Sequence, residues 1–417
     1  MHQRAAALDA ADPLAAFAGR FLPSADPALK AYLDGNSLGR PPTEVAAAMD
    51  DFIRNRWATR LIQGWTDEWM DWPTDVGDQL AAAALGAAAG QTIIADSTSV
   101  LLYKLARAAL TSVADRTEII LDTDNFPTDR YLLEGIAREQ GLTLRWVQTG
   151  PDVGLAPEQV REAVSERTAL FVGSHVAYRS GYLADVAEIN ECVHAFGGRV
   201  LWDLSHSVGS VPIALDEWQV DFAVGCGYKY LNGGPGAPAF GYVRHGLQDV
   251  ASQPIQGWMG HADPFAMGPG YQAHQGIRAF LTGTPPILAM VPLRVGIAML
   301  AEAGIKNVRA KSLGLTDFAQ ELIDEWLIPL GVRLASPRDH AHRGGHVTIC
   351  GAGFAQVNSQ LWERGVIPDF RAPDGIRLGL APLSTSYADV ATAVSELRDI
   401  LTETSHAETW LTETGAD

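Results

Sequence analysis

Between Gln91 and Val243 the chain alternates short apolar runs with longer stretches of helical period. The runs are TIIA (92–95), EIIL (118–121), LTLRWV (142–147), ALFVG (169–173), RVLW (199–202), FAVG (222–225) and AFGYV (239–243). Each is bounded by polar or breaking residues and lacks an in–out alternation, the pattern of strands covered on both faces. Strands spaced by amphipathic helices predict βαβ units and an α/β fold with a mostly parallel sheet.

The flanks read differently. The first 40 residues carry Pro13, Pro23, Pro27, Gly35 and Gly39 and predict irregular chain, with a helical pattern starting after Pro41-Pro42. Residues 244–285 are rich in Gly, Pro, Gln, His and Met with little periodicity, and a loop region of that length inside a compact enzyme is usually functional. A helical stretch runs from Pro286 to about Ile328, followed by shorter alternating elements. The expected division is a large domain at 55–292, with 1–54 and 293–417 forming an N-terminal segment and a smaller α+β domain.

Composition narrows the function classes. A 417-residue chain with 47% hydrophobic residues buries more than one minimal core. The formal charge of −18 disfavours nucleic acid and anionic membrane as partners, and is otherwise a solubility charge. Three cysteines, Cys192, Cys226 and Cys350, show no paired spacing and fit a reducing compartment. Asp9 and Asp12 interrupt any apolar leader, and the alanine-rich run at 81–90 is too short to span a bilayer and reads as a packed helix. A soluble, cytoplasmic protein is expected.

Candidate chemistry lies at the ends of the predicted strands. Lys229, in GCGYKYLNGGPG, follows FAVG. In an apolar setting its amine would lose hydration, lowering its pKa and favouring the neutral form that makes a Schiff base. The other reading is a strand-end lysine pointing into water. Asp203 closes RVLW, where ligands of open α/β sheets bind, although Asp also caps helices there. His206, three residues on, could face the same site or be structural. Asp203 and Lys229 are 26 residues apart, room for one crossover that brings both to one crevice. Asp96-Ser97-Thr98-Ser99-Val100 joins TIIA to a helix and offers backbone N–H groups, hydroxyls and a helix dipole to an anion, or simply a cap. Asp124–Asp129 after EIILDT presents Phe126 for stacking and Asp129 for a polar group, or a plain turn. Dinucleotide and P-loop signatures are absent from the sequence.

The strings GNSLGRPP, DNFPTDRY, VAYRSGYL, WDLSHSVG, YKYLNGGPG, PIQGWMGH and TGTPPIL, in this order, resemble the kynureninases. These are fold-type I enzymes of the class V aminotransferase superfamily that use pyridoxal 5′-phosphate (PLP). The likeness runs from 32–42 to 375–390. General class V aminotransferases share the lysine and the aspartate but not the ensemble. The resemblance implies a Lys229 aldimine, Asp203 on the pyridinium nitrogen, His206 beside the cofactor, Phe126 stacked on the ring and Asp129 near it. It implies Thr98, Ser99, Ser174 and Tyr228 around the phosphate or its surroundings, and Tyr228 or a group it orders is the expected proton donor. Trp258 and Thr284 match positions that cross a homodimer interface, and Arg377 matches the holder of the substrate α-carboxylate.

The implied reaction is hydrolysis of L-kynurenine to anthranilate and L-alanine through a ketimine, in tryptophan catabolism. 3-Hydroxy-L-kynurenine is a second candidate substrate. RLIQGWTDEWMDWP looks like the bacterial form, which prefers L-kynurenine, so Trp65, Asn36 and Ser37 are expected to line the aryl pocket. Ser384 stands where the pattern has Tyr. No metal-ligand set is assigned. The rival readings are a cysteine desulfurase, an aminotransferase, or a non-catalytic binding protein of the same fold.

Overall fold

The computed structural model describes residues 2–113 and 115–414, with side chains through 403. All seven apolar runs form strands of one sheet: β1 (Thr92–Ala95), β2 (Glu118–Asp122), β3 (Thr143–Val147), β4 (Thr168–Ser174), β5 (Arg199–Asp203), β6 (Phe222–Cys226) and β7 (Ala239–Val243), in the order β1-β7-β6-β5-β4-β2-β3. Only β7 runs against its neighbours. Successive residues alternate between two cores. Ile94, Ile120, Phe171, Trp202 and Phe240 join one, while Ile93, Ile119, Leu170, Leu201 and Phe222 join the other. Both faces of the sheet are therefore dry except along its edge strand β3, where Thr143 is exposed and Leu144, Arg145 and Trp146 are half-buried, which is why the covered strands read as unbroken apolar runs.

A second sheet holds β8 (Arg333–Leu334), β9 (His346–Cys350), β10 (Asp369–Arg371) and β11 (Gly375–Gly379) in the antiparallel order β10-β11-β9-β8. It packs with Leu315, Phe318, Leu322, Val390 and Leu397 into a third core. The helix Ile287–Ala303 belongs to the large-sheet core through Leu293, Ile297 and Leu300, as do Phe21 and Phe52. Packing thus places the change of core beyond Val308, whereas the sequence-based division cut this helix at 292.

Two expectations are corrected. The stretch after Pro286 is two helices, Ile287–Ala303 and Ile305–Trp326, meeting at 85° across Gly304, whose φ of +75° a side chain would resist. The first residues are also not irregular, because His2–Ala11 is helical. Asp9 accepts from the Tyr387 and Ala388 amides at 2.8 and 3.0 Å, capping the helix that begins at Tyr387. Asp12 pairs with buried Lys311 at 2.7 Å. The two acidic residues that interrupt the apolar stretch at the start are a long-range cap and an ion partner. The alanine-rich run is helical only to Leu85, where Gly86 turns left-handed. Among the described residues no single helix is long and apolar enough to cross a membrane.

Candidate active site

The parallel strands end on one edge of the sheet, and the loops that follow them build one pocket. It is lined by Thr98 and Ser99 after β1, Phe126, Thr128 and Asp129 after β2, Ser174 and Tyr178 after β4, Asp203, Ser205 and His206 at β5, and Tyr228 and Lys229 after β6. This is the crevice outside the carboxyl ends of the strands where open α/β sheets bind ligands.

Each group is held by its own local structure. Ser97 caps the helix Thr98–Thr111 by accepting from the Val100 amide at 3.4 Å, so the two hydroxyls that follow sit at the positive end of the helix dipole. Asn125 accepts from the Phe126 amide at 2.7 Å and from Ser174 Oγ at 3.1 Å, tying the β2 loop to β4. Phe126 meets Tyr178 edge-on at 5.5 Å. Asp203 accepts from the Ser205 amide at 2.8 Å and so turns the chain out of β5. The Lys229 amine lies 2.8 Å from His206 Nε2 and 6.0 Å from the Phe126 ring centroid. Gly39 donates to the Tyr228 carbonyl at 2.8 Å and approaches so closely that a Cβ there would stand 2.3 Å from the Lys229 carbonyl oxygen.

The electrostatics make this a reactive site. Loss of hydration lowers the Lys229 pKa, with Cys226 and Asp203 opposing and Arg377 and Arg371 adding to the shift. Burial, then the charges of Lys229 and Arg377, holds His206 well below the usual imidazole range, so it is neutral. Burial and the neighbouring Asp203 push Asp129 well above the usual carboxylate range, with Lys229 opposing. Burial raises Tyr228, so its hydroxyl keeps its proton. Perturbed groups converging in one cleft mark a functional site.

Nine of the expected cofactor residues line this pocket together: Thr98, Ser99, Phe126, Asp129, Ser174, Asp203, His206, Tyr228 and Lys229. Trp258 and Thr284 do not. Thr284 is exposed, and Trp258 packs on Trp65 at 6.3 Å and on Phe265 at 6.1 Å. Trp65 likewise sits against Trp69 and Trp258, outside the pocket lining.

Arg377 is fully buried and already engaged. Its guanidinium donates to the Tyr178 carbonyl at 2.6 Å, to Ser37 Oγ at 3.0 Å and to Asp369, its cross-strand neighbour. It therefore adjoins the pocket through Tyr178 without lining it. Asn36 is buried with neither amide atom bonded, against Gly379. Ser384 is buried in the turn after Ala381, outside the pocket. Sequence reasoning missed Thr128, Tyr178 and Ser205 as lining residues. Thr128 and Tyr178 lay inside strings already singled out, but nothing in their spacing told which side chains turn inward. It also missed His346 of β9, whose ring centroid is 5.6 Å from that of His206.

Residues 308–397 match the family model of the kynureninase C-terminal domain. The chain is 39% identical over 410 residues to a kynureninase of Pseudomonas fluorescens, covering 96% of each chain. It is also 39% identical over 406 residues to one of Burkholderia pseudomallei, covering 96% and 95%. This chain belongs to the kynureninase family. Kynureninase strings quoted from the sequence thus fall at the pocket and at the Trp258–Thr284 loops.

Solved structures add the fold. A cysteine desulfurase of Thermococcus onnurineus aligns with TM-score 0.77 at 20% identity over 89% of this chain and 95% of its own. One from Escherichia coli aligns at TM-score 0.76 and 18% identity over 94% and 98%. A lyase variant with glycine covalently linked to its PLP cofactor aligns at TM-score 0.76 and 18% identity over 89% and 96%. The architecture is fold-type I. The pocket lining contains no cysteine, and Cys226 is buried with its thiol 3.9 Å from the Ser205 carbonyl oxygen. Burial pushes the Cys226 thiol up, the wrong direction for a desulfurase nucleophile.

Proposed function

We propose that this chain hydrolyses L-kynurenine to anthranilate and L-alanine with PLP as cofactor. The observation that carries the reading is the recessed Lys229 amine facing Asp129, Asp203 and a hydroxyl-rich helix start, in a chain of kynureninase sequence. The residues present fit the group. Lys229 suits its aldehyde carbon, and Asp203 its pyridinium nitrogen. The Phe126 face suits its ring, and Thr98, Ser99, Ser174 and Tyr228 its phosphate. Asp129 Oδ2 and His206 Nδ1 are buried polar atoms without a protein partner and match the ring's polar edge. When bound, PLP supplies an electron sink for charge that develops on the substrate carbons.

The chain's own groups supply the rest. Lys229, whose amine desolvation pushes toward the neutral form, removes the proton from substrate Cα, and His206 accepts a hydrogen bond from that amine and orients it. Once Lys229 has passed that proton on, its amine is free to act as base to the water that adds to the γ-carbonyl. The Cβ–Cγ bond then breaks, the carbonyl carbon leaves as the carboxylate of anthranilate, and Cβ becomes the methyl of alanine. Tyr228 is the proton donor to that carbon, because its raised pKa keeps the hydroxyl protonated. Arg377 holds the α-carboxylate through its planar fork, with Ser37 and Asp369 fixing its orientation.

The aryl pocket is assigned to Trp65, Asn36 and Ser37, and the enzyme to a homodimer in which Trp258 and Thr284 reach the partner's site. Exposed apolar side chains on that side, including Leu61, Ile62, Phe265 and Met267, support a covered face. Three unpaired cysteines support a cytoplasmic location. The test is anthranilate fluorescence after L-kynurenine is added to the PLP-loaded protein, with 3-hydroxy-L-kynurenine alongside. Rapid anthranilate release is expected. No product from either substrate, with PLP bound, would overturn the reading.

A further inference from the structure

The mechanism leaves one fully buried lysine without a role. Lys104 sits in the helix Thr98–Thr111 among Leu101, Leu105 and Ala108, and none of it is exposed. Burial lowers its pKa, and Asp96 opposes that shift. Its amine donates to Asp96 Oδ2 at 2.9 Å. Asp96 is the residue at which the chain leaves β1 and turns toward the helix. It does so at φ +49°, in the left-handed region that few residues other than Gly, Asn and Asp enter.

Two clamps hold that turn. The Asp96 carbonyl accepts from the Ala239 amide at 3.1 Å, extending the β1–β7 ladder, and its carboxylate is tied to Lys104. The next residue, Ser97, is extended and caps the helix, and the two after it, Thr98 and Ser99, line the pocket. Lys104 is buried and Asp96 partly exposed, and such an ion pair is weak evidence for stability, since well-packed apolar residues often serve as well. Its place here, bridging the strand end and the helix that presents the hydroxyls, gives it another use.

We propose that Lys104 is a positioning residue for the cofactor phosphate: its amine fixes the left-handed turn at Asp96 that aims Thr98 and Ser99 into the pocket. The proposal rests on the reading of Thr98 and Ser99 as phosphate ligands. It makes the phosphate cradle depend on a charge pair behind it, without contact between Lys104 and the cofactor.

The test compares PLP with pyridoxal, which lacks the phosphate. Holoenzymes of the wild type, Lys104→Leu and the double variant Asp96→Asn/Lys104→Leu are diluted, and bound cofactor is read from its visible absorbance, with denaturant unfolding as a check on the fold. Lys104→Leu is expected to weaken PLP by about tenfold or more, one charge-assisted hydrogen bond's worth, and pyridoxal by less than about twofold. The double variant is expected to regain most of the loss, because neutral Asn adopts left-handed backbone readily and needs no cation. If Lys104→Leu does not fold, Lys104→Gln is expected to show the same selectivity. Unchanged PLP affinity in a folded variant, or equal losses for PLP and pyridoxal, would overturn the proposal. Thr98→Ala tests the underlying reading separately. Unaltered PLP affinity there overturns the phosphate assignment, whereas loss there with none in Lys104→Leu overturns only the role of Lys104.

Discussion

The inner and outer halves of the site are built on different scaffolds. The inner half, with Asp129, Ser174, Asp203, His206 and Lys229, hangs from the ends of parallel strands packed dry on both faces. Its groups are electrostatically uncomfortable: Lys229 is disfavoured as a cation, Asp129 as an anion, and His206 Nδ1 has no protein partner. The proposed outer half comprises Arg377 on the small sheet, Ser37 in a turn where its amide donates to the Asp34 carbonyl, and Trp65 and Trp258, which pack on each other. There Arg377 meets three acceptors through its two terminal nitrogens, while its Nε has no partner. In the proposed function chemistry sits at the ends of strands packed dry on both faces and recognition on elements joined through turns, an arrangement that holds catalytic groups in register.

That contrast can be broken by experiment. The largest effect belongs to the inner half. Lys229→Ala is expected to cut single-turnover anthranilate release by at least about 10²–10⁴-fold, since base and cofactor link are lost together. Near-normal turnover would remove Lys229 from the chemistry. Next comes Arg377→Ala, expected to raise KM for L-kynurenine by about 10–100-fold with a smaller change in kcat, as loss of a contact made in ground and transition states alike. Steady-state kinetics decides it, and a loss confined to kcat would move Arg377 into the inner half.

Smaller effects sharpen the comparison. Trp65→His is expected to shift the kcat/KM ratio between L-kynurenine and its 3-hydroxy form by about tenfold, the scale of one polar group in an apolar pocket. An unchanged ratio would take Trp65 out of the aryl pocket.

The smallest effect runs the other way, because strain relieved in the inner half should stabilise. Asp129 has its folded pKa above the ordinary value of about 3.9, so the folded state holds a proton that the unfolded state releases, and stability falls as pH rises from that value through the folded pKa. Asp129→Asn removes this penalty. In urea unfolding of the apo-protein it is expected to match the wild type near pH 4 and to exceed it by about 1 kcal/mol at neutral pH. A pH-independent difference would mean that Asp129 is not strained.

Legibility followed the same division. Six of the seven strands could be read directly, because a strand dry on both faces must be apolar throughout; the half-exposed edge strand β3 carries Thr143 and Arg145 within its run. Asp203 and Lys229 could be paired because each closes such a strand. The hydroxyl-rich turn at 96–100 and the loop at 124–129 were visible as strand-end punctuation, each with an ordinary capping or turn reading beside it. The helix at 2–11 was hidden because Asp9 and Asp12 find their partners, the 387 helix end and Lys311, hundreds of residues away. The break at Gly304 was hidden because apolar period continues across it while the backbone does not.

By itself, then, the sequence determined the sheet, the edge on which the chemistry sits and, through its strings, the family. Apolar period and strand-end residues are local signals that survive any packing. The tertiary structure decided which side chains meet. It put His206 on Lys229, turned Tyr178 and Thr128 inward, engaged Arg377 with Asp369, and packed Trp65 on Trp258 outside the pocket lining. Those outcomes depend on register, strand order and the docking of one core on another, and no local pattern encodes the distance between residues brought together from opposite ends of the chain.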